Sequence, residues 1–218
     1  MNTSSIEPAP RTASCPNCGA NVRLRWAQAV QTTCAYCRAV LVRHDLDLEL
    51  VGKQAEFPET GSPIQIGTAG RWREQSFLVV GRLAYRWSRG RWNEWHCRLA
   101  DGTSAWLSDA QLEYAMSVIV APDYQLAPYT RMRVGDDLRW ADERYTASTI
   151  TKATYLGTEG ELPFSSIDRA THVFIDLHNT SGGLATLDCS DTPPTLYVGE
   201  YCDFETLAMT NLRTFEGW

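Results

Sequence analysis

Four cysteines near the start of the chain have the types and spacing of a metal site. Cys15, Cys18, Cys34 and Cys37 form a C-x2-C-x15-C-x2-C pattern. Two C-x2-C turns can supply the four thiolates that zinc binds in a tetrahedron. The sequence therefore predicts a zinc ribbon over residues 1–50 with one structural Zn²⁺. A redox dithiol is the alternative, but two matched pairs at this spacing would then be a coincidence.

A second group of reactive side chains lies in GRWNEWHCRLADGTSAWL, residues 90–107. Asp101 and Gly102 predict a two-residue hairpin turn, which pairs Cys97 with Trp106. Strand alternation then gives a core face with Trp95, Cys97, Leu99 and Trp106. The opposite face carries Trp92, Glu94, His96 and Arg98. This second face is either an ordinary solvated surface or a binding patch centred on Trp92 and Glu94.

No familiar catalytic motif accompanies these groups. A nucleophile elbow, a P-loop, a dinucleotide fingerprint and an H-E-x-x-H sequence are all missing from the chain. Cys97 is expected on the core face, where a thiol is inert, while His96 points the other way. His172 and His178 are too far apart on one straight strand to share an ion. The sequence predicts no catalytic residues and favours a non-enzyme.

The elements that would position these groups are β-strands in a weak internal repeat. RWREQSF at 71–77 recurs as RWADERY at 139–145, and an alignment of the halves places Glu161 opposite Glu94. We therefore predict two tandem β-rich modules, residues 57–122 and 123–218, each a sandwich or a small open barrel. Alternation puts two sets of side chains inward: Phe77, Val79, Leu83, Tyr85 and Trp87 in the first module, and Val173, Ile175 and Leu177 in the second.

Only DFETLAMTNLR near the end of the chain has helical periodicity. Asp203 is a suitable N-cap, and Phe204, Leu207 and Leu212 belong to an apolar stripe. The expected fold class is thus mainly β: a zinc ribbon, two tandem β-rich modules and a short C-terminal helix.

Charge is distributed unevenly along the 218 residues, which carry a net −6. Residues 1–44 hold five arginines and one glutamate. This distribution allows nucleic-acid contact only at the ribbon. No apolar run is long enough to span a bilayer, and the polar N-terminus does not resemble a secretory signal. We expect a cytoplasmic protein.

The pattern F-x-V-x-G-x-L-x-Y, followed by W-N-E-W, a glycine turn and W-L-S, resembles the bacterial family called domain of unknown function 4178. The second half is similar through EGELPF, the Asp176-Leu177 pair and TLYVGEY. Some relatives are also similar in having an N-terminal zinc ribbon. The resemblance implies two tandem copies behind a ribbon, but no catalytic residues, because the family has no established activity. Its members are often encoded beside polyamine-synthesis-like enzymes and membrane-associated stress proteins, which implies a place in a multi-protein system.

Three functions are compatible with the sequence. The favoured one is a non-catalytic, zinc-containing adaptor that binds a protein partner, since Trp and Arg dominate binding hot spots. The second is an accessory protein or enzyme subunit that binds a small cationic ligand such as a polyamine, with Trp92, Glu94 and Glu161 in the patch. The third is nucleic-acid binding through the arginines of the ribbon.

Overall fold

The computed structural model describes residues 11–44, 47–53, 61–121, 129–165 and 170–215. This part of the chain is mainly β, as the sequence predicted. No helix within it is long and apolar enough to cross a membrane. In chain order its strands are β1 (Arg11–Ser14), β2 (Asn21–Leu24), β3 (Gln31–Thr33), β4 (Ala39–His44), β5 (Asp47–Lys53), β6 (Ala69–Trp72), β7 (Gln75–Trp87), β8 (Gly90–Leu99), β9 (Ser104–Ala110), β10 (Glu113–Ile119), β11 (Asp137–Trp140), β12 (Glu143–Gly160), β13 (Thr171–His178), β14 (Gly183–Asp188) and β15 (Thr195–Cys202).

The N-terminal strands form two small sheets around the cysteines, and we call the described residues 11–44 and 47–53 the ribbon. β1 pairs with β2, and β3, β4 and β5 form a separate three-stranded sheet. The segment between the two cysteine pairs therefore does not fold into a hairpin of its own. Its first half, β2, pairs back onto β1, and its second half, β3, pairs forward onto β4.

The remaining ten strands form one sheet in which eight strands close into a ring. Their order is β11-β12-β13-β14-β15-β10-β9-β8-β7-β6, and β12 also pairs with β7. Each half of the chain contributes five consecutive strands in the same arrangement. The halves are joined twice, by β10 with β15 and by β7 with β12. The two predicted modules thus share one closed sheet, which we call the ring.

A bulge in each of the two longest strands, β7 and β12, changes which of their side chains point into the ring. β7 shifts register between Val79 and Gly81, and β12 shifts between Ala147 and Thr149. An extra residue reverses the side-chain alternation beyond it. Phe77 and Val79 therefore pack outside the ring, whereas Leu83, Tyr85 and Trp87 pack inside. The prediction that all five side chains share one face is wrong for this reason.

Apolar side chains fill the ring and cover two areas of its outer wall. The inner cluster contains Leu83, Tyr85, Trp106, Ala153, Tyr155, Leu162 and Phe174. One outer cluster joins the first half to Ile64 and the C-terminal segment around Leu207. The second outer cluster joins Ile175 and Leu177 to residues 129–140. Ile175 and Leu177 are therefore buried on the outer wall rather than inside the ring, and Val173 is partly buried beside them.

The hairpin between β8 and β9 is one residue longer than predicted. Leu99 N–H donates to the carbonyl of Thr103 over 2.9 Å, and Gly102 lies in the left-handed region with φ +85°. A three-residue loop of this kind needs a glycine at that position. Cys97 consequently pairs with Ala105, and Trp106 pairs with His96. Because the strand pairing differs by one residue from the predicted one, the Trp106 side chain points into the ring.

The predicted C-terminal helix is wrong. Residues 204–208 form turns, and Ala208 and Asn211 have φ of 44° and 55°, which no α-helix contains. The segment instead bonds to β6: Arg71 N–H donates to the Leu207 carbonyl over 2.8 Å, and Thr210 exchanges backbone hydrogen bonds with Ala69. Its apolar residues follow the outer wall of the ring rather than a helical face.

Candidate metal centre and buried polar sites

Each cysteine pair sits on a tight turn that directly follows a strand. Cys15 follows β1, and its carbonyl accepts a hydrogen bond from Gly19 N–H over 2.8 Å. Cys34 follows β3, and its carbonyl accepts from Arg38 N–H over 2.9 Å. The backbone therefore makes the same turn twice and presents two sulfurs from each.

The four sulfurs meet at one point. All Sγ atoms lie within 4.8 Å of one another. The Cys15 and Cys37 sulfurs are 3.7 Å apart, and those of Cys18 and Cys34 are 3.8 Å apart. A tetrahedron with metal–sulfur bonds of about 2.3 Å has edges of about 3.8 Å, so the geometry fits a four-thiolate metal site.

Neither aromatic residue of the ribbon, Tyr36 or Trp26, packs in the cluster around the sulfurs. Tyr36 is 85% exposed. Trp26 is buried, but its indole N–H donates to the Gly102 carbonyl over 3.1 Å, in the β8–β9 turn of the ring. Small apolar side chains, including Val22, Ala39 and Leu41, pack around the cysteines instead. Trp26 therefore joins the ribbon to the ring.

Glu161 makes the strongest polar contact between the ribbon and the ring. It directly follows β12 and is buried. Its two carboxylate oxygens accept hydrogen bonds from the backbone N–H groups of Arg25 and Trp26, both over 2.7 Å. Burial raises the pKa of Glu161, and these two hydrogen bonds oppose that rise. The alignment with Glu94 does not hold, because Glu161 follows β12 and Glu94 lies within β8.

His96 belongs to the same contact. Its Nδ1 lies 2.8 Å from the Glu161 carbonyl oxygen and its Nε2 lies 2.7 Å from Ser104 Oγ. The Trp26 ring packs edge-on against the imidazole with centroids 4.8 Å apart. Burial lowers the pKa of His96 to about 4, so the ring is neutral at pH 7. Arg98 is half-buried nearby, and its charge lowers the pKa of Glu161.

Trp92 and Glu94 lie inside the ring, away from the ribbon. The Trp92 indole N–H donates to Glu94 Oε1 over 2.9 Å, and Ser108 Oγ donates to Oε2 over 2.6 Å. Trp92 stacks on Tyr85 with centroids 5.1 Å apart. His96 pairs with Trp106, and their ring centroids are 5.1 Å apart, so His96 shares the inner face of β8 with Trp92 and Glu94. It lies at the ribbon end of that face, close to Glu161, whereas Trp92 and Glu94 line the larger interior cavity.

Two further acids share the interior with Glu94. Asp176 accepts a hydrogen bond from Thr186 Oγ1 over 2.9 Å, and Asp188 lies at the end of β14. Burial raises the pKa of Glu94 to about 7, and the charges of Asp176 and Asp188 add to that rise. Burial also raises the pKa of both aspartates. Sequence analysis missed this grouping because it depends on ring closure, although strand alternation had put Asp176 opposite the apolar face of β13.

The cysteines outside the metal site do not resemble nucleophiles. Cys97 is fully buried, and burial raises the pKa of its thiol. The pKa of Cys189 and of Cys202 is also raised, again chiefly by burial. A thiol must ionise to attack, so these environments favour the inert form.

Fold and site together define a mainly β protein in which a four-cysteine cluster compatible with a metal site is docked on a closed sheet. The chain belongs to the family described as Domain of unknown function (DUF4178), whose model matches residues 65–204. This single match runs through both halves of the ring and leaves out the cysteine module. No curated protein and no solved structure matches the chain significantly.

The cysteine geometry predicts the metal content of the protein. We expect about one zinc per chain by elemental analysis, because four thiolates at tetrahedral spacing favour Zn²⁺. Replacing Cys34 and Cys37 with serine should abolish metal binding and unfold the ribbon, since such small modules depend on their metal. Cys189→Ser is the control and should keep the zinc. Retention of zinc by the double variant would contradict the assignment.

Proposed function

We propose that this protein is a non-catalytic, zinc-containing adaptor that binds a protein partner through a groove at the rim of the ring, between the β10–β15 pair and the C-terminal segment. The observation that carries this proposal is the exposure of large apolar side chains along one groove. Leu112 is 83% exposed and Tyr201 is 61% exposed. Exposed apolar side chains that adjoin one another mark interaction sites more often than scattered ones.

The groove is built where the two halves of the ring meet. Tyr114 on β10 and Tyr201 on β15 belong to paired strands, and the C-terminal segment forms the opposite wall with Phe204 and Leu212. Its volume is about 1250 Å³, enough for several side chains of a partner. Tyr114 and Phe204 contact each other at its base, with ring centroids 5.2 Å apart.

The charge of the groove indicates the chemistry of the partner. Glu113, Asp203 and Glu205 line it, against a single basic residue among the described lining residues, Arg213. Acidic side chains around an apolar centre complement a segment with apolar residues and basic flanks. We therefore propose a partner segment of that composition.

Co-purification from the native host tests the adaptor function. A stoichiometric protein partner should accompany the wild-type chain and should be lost from a Leu112→Ser, Tyr201→Ser double variant, because the apolar contact area is removed. Tyr36→Ser is the matched control, since Tyr36 is equally exposed but lies on the ribbon. Loss of the partner from the control, or its retention by the double variant, would place the binding site elsewhere. Self-association, or recovery of nucleic acid alone, would contradict the proposed occupant.

A second candidate function is the binding of a small organic cation inside the ring. Two adjoining cavities of about 50 and about 230 Å³ share Glu94, Phe174 and Thr186 in their walls. Asp188 lines the smaller cavity, and Asp176 and Trp92 line the larger one. Carboxylates can pair with an ammonium group, and aromatic faces attract a cation. A polyamine has this chemistry.

Titration with spermidine tests the second candidate. Glu94→Gln should weaken binding by about tenfold or more, because a buried charge partner is lost. Affinity for the wild type should rise as the pH increases through about 7, since the pKa of Glu94 is about 7 and only the ionised form attracts the cation. Affinity for Glu94→Gln should lack this pH dependence. Glu74→Gln, at an exposed site on the β6–β7 turn, is the control; equal binding by all three proteins would contradict the candidate.

The setting we propose is the cytoplasm, because a four-thiolate site requires reduced cysteines. Nucleic-acid binding through the ribbon is less favoured. Arg43 donates to the Ala27 carbonyl over 2.5 Å within the ribbon, and Arg23, Arg25 and Arg38 line a recess that faces the ring. Part of the ribbon's positive charge is thus directed towards the ring, which reduces the basic surface left for a phosphate backbone.

A further inference from the structure

A recess of about 590 Å³ lies between the ribbon and the ring. We call it the seam cavity. β2 and β3 form its ribbon side, and β7 and the end of β12 form its ring side. Its volume lies in the range of small-molecule sites, roughly 300–1000 Å³. The seam cavity and the groove described above share one lining residue, Arg213, so they are separate sites.

The seam cavity is rich in positive charge. Its lining includes five arginines: Arg23, Arg25, Arg38, Arg82 and Arg213. Two carboxylates, Glu159 and Glu161, also line it, but Glu161 already accepts two backbone hydrogen bonds from the ribbon. The lining therefore has an excess of positive charge, although the whole chain carries a net charge of −6. A bound anion would account for this excess.

Arg82 forms the floor of the cavity and is only 3% exposed. Its Nε and one terminal nitrogen donate to Asn93 Oδ1 over 2.9 and 2.7 Å. The other terminal nitrogen is 3.7 Å from Glu159, a long ion pair. Burial lowers the pKa of Arg82 to about 10, and the charge of Arg213 contributes to that decrease. The two guanidinium groups therefore repel each other, and both line the cavity.

Two buried hydroxyl groups also indicate a ligand that carries negative charge. Thr158 is 1% exposed, and its Oγ1 has no hydrogen-bond partner within the described ranges of the chain. Thr33 Oγ1, on the ribbon side, is also buried without a partner there. Both threonines line the seam cavity. An unsatisfied buried hydroxyl is costly, and each can donate a hydrogen bond to an oxyanion.

We propose that the seam cavity binds a phosphate-bearing small molecule. Arg82, Arg213 and Thr158 would receive the phosphate at the floor, because guanidinium groups recognise phosphate oxygens in pairs and a hydroxyl adds a donor. The ribbon arginines would close over the rest of the ligand. A small molecule fits better than a nucleic acid, since Arg82 and Thr158 are too deeply buried for the backbone of a long strand to reach. The inference does not depend on the adaptor groove.

Calorimetric titration of the full-length, zinc-loaded protein tests this inference. The probes are inorganic phosphate, pyrophosphate, AMP and a short single-stranded oligonucleotide. Pyrophosphate or AMP should bind, and higher salt should weaken binding because charge attraction contributes to it. Thr158→Val should reduce affinity by about tenfold without loss of folding, since it removes one donor and keeps the volume.

Arginine variants provide the matched comparison. Arg213→Gln should weaken binding at least as much as Thr158→Val, whereas Arg139→Gln, at an exposed arginine of β11, should bind as the wild type does. Circular dichroism and zinc content should be the same for all variants. Binding by none of the probes, or equal binding by Arg213→Gln and Arg139→Gln, would overturn the proposal. Binding of the oligonucleotide alone would also overturn it and would identify a nucleic-acid site.

Discussion

The orientation of the ribbon on the ring depends on one buried carboxylate. Glu161 accepts backbone hydrogen bonds from Arg25 and Trp26, and its own carbonyl lies 2.8 Å from His96 Nδ1. Hydrogen bonds to an ionised acceptor are about twice as strong as neutral ones. Breaking them would leave the buried carboxyl group and the buried Trp26 N–H without partners, which costs about 1–3 kcal/mol for each unpaired group. The two parts of the chain therefore have a single favourable arrangement.

Ring closure places Glu161 where it can act in this way. β12 ends at Gly160, which pairs with Gly81 of β7, and Glu161 follows at once. A side chain at Gly81 would put its Cβ 2.0 Å from the Glu161 carbonyl oxygen, so the strands can approach only because that residue is glycine. The backbone of Leu162 then exchanges hydrogen bonds with Gln31 of β3. Closure of the ring and docking of the ribbon thus use the same stretch of residues at the end of β12, and Gly160 and Glu161 in this stretch also line the seam cavity.

The sequence predicted the parts of the molecule that depend on local pattern. Cysteine spacing predicted the cluster of four sulfurs because two short turns determine it, and the repeated RW dipeptides matched the ends of β6 and β11. The predictions failed where contacts between distant parts of the chain determine the local structure. A bulge after Val79 reverses a face that alternation alone would continue, and a three-residue turn moves Trp106 into the ring. The apolar spacing of residues 203–212 resembles a helix, but the segment follows a sheet edge and bonds to it.

The candidate sites were harder to predict for the same reason. Trp92, Glu94, His96 and Arg98 alternate on one strand, so the sequence could only treat them as one face. In the structure this face is continuous, but Trp92 and Glu94 line the interior cavity whereas His96 lies at the ribbon end beside Glu161. Glu161 and Arg82 have no motif around them. Their importance comes from burial beside groups distant in sequence, such as Trp26 and Arg213.

Amide hydrogen exchange at Arg25 and Trp26 tests the central claim most directly. The two amides should be protected in the wild-type protein and should exchange at least about tenfold faster in Glu161→Gln, because a neutral amide cannot accept both hydrogen bonds. In Glu159→Gln, where the replaced carboxylate lines the same cavity but does not bond to the ribbon backbone, protection should be unchanged. Equal protection in the wild type and Glu161→Gln would contradict the claim that this carboxylate holds the ribbon on the ring.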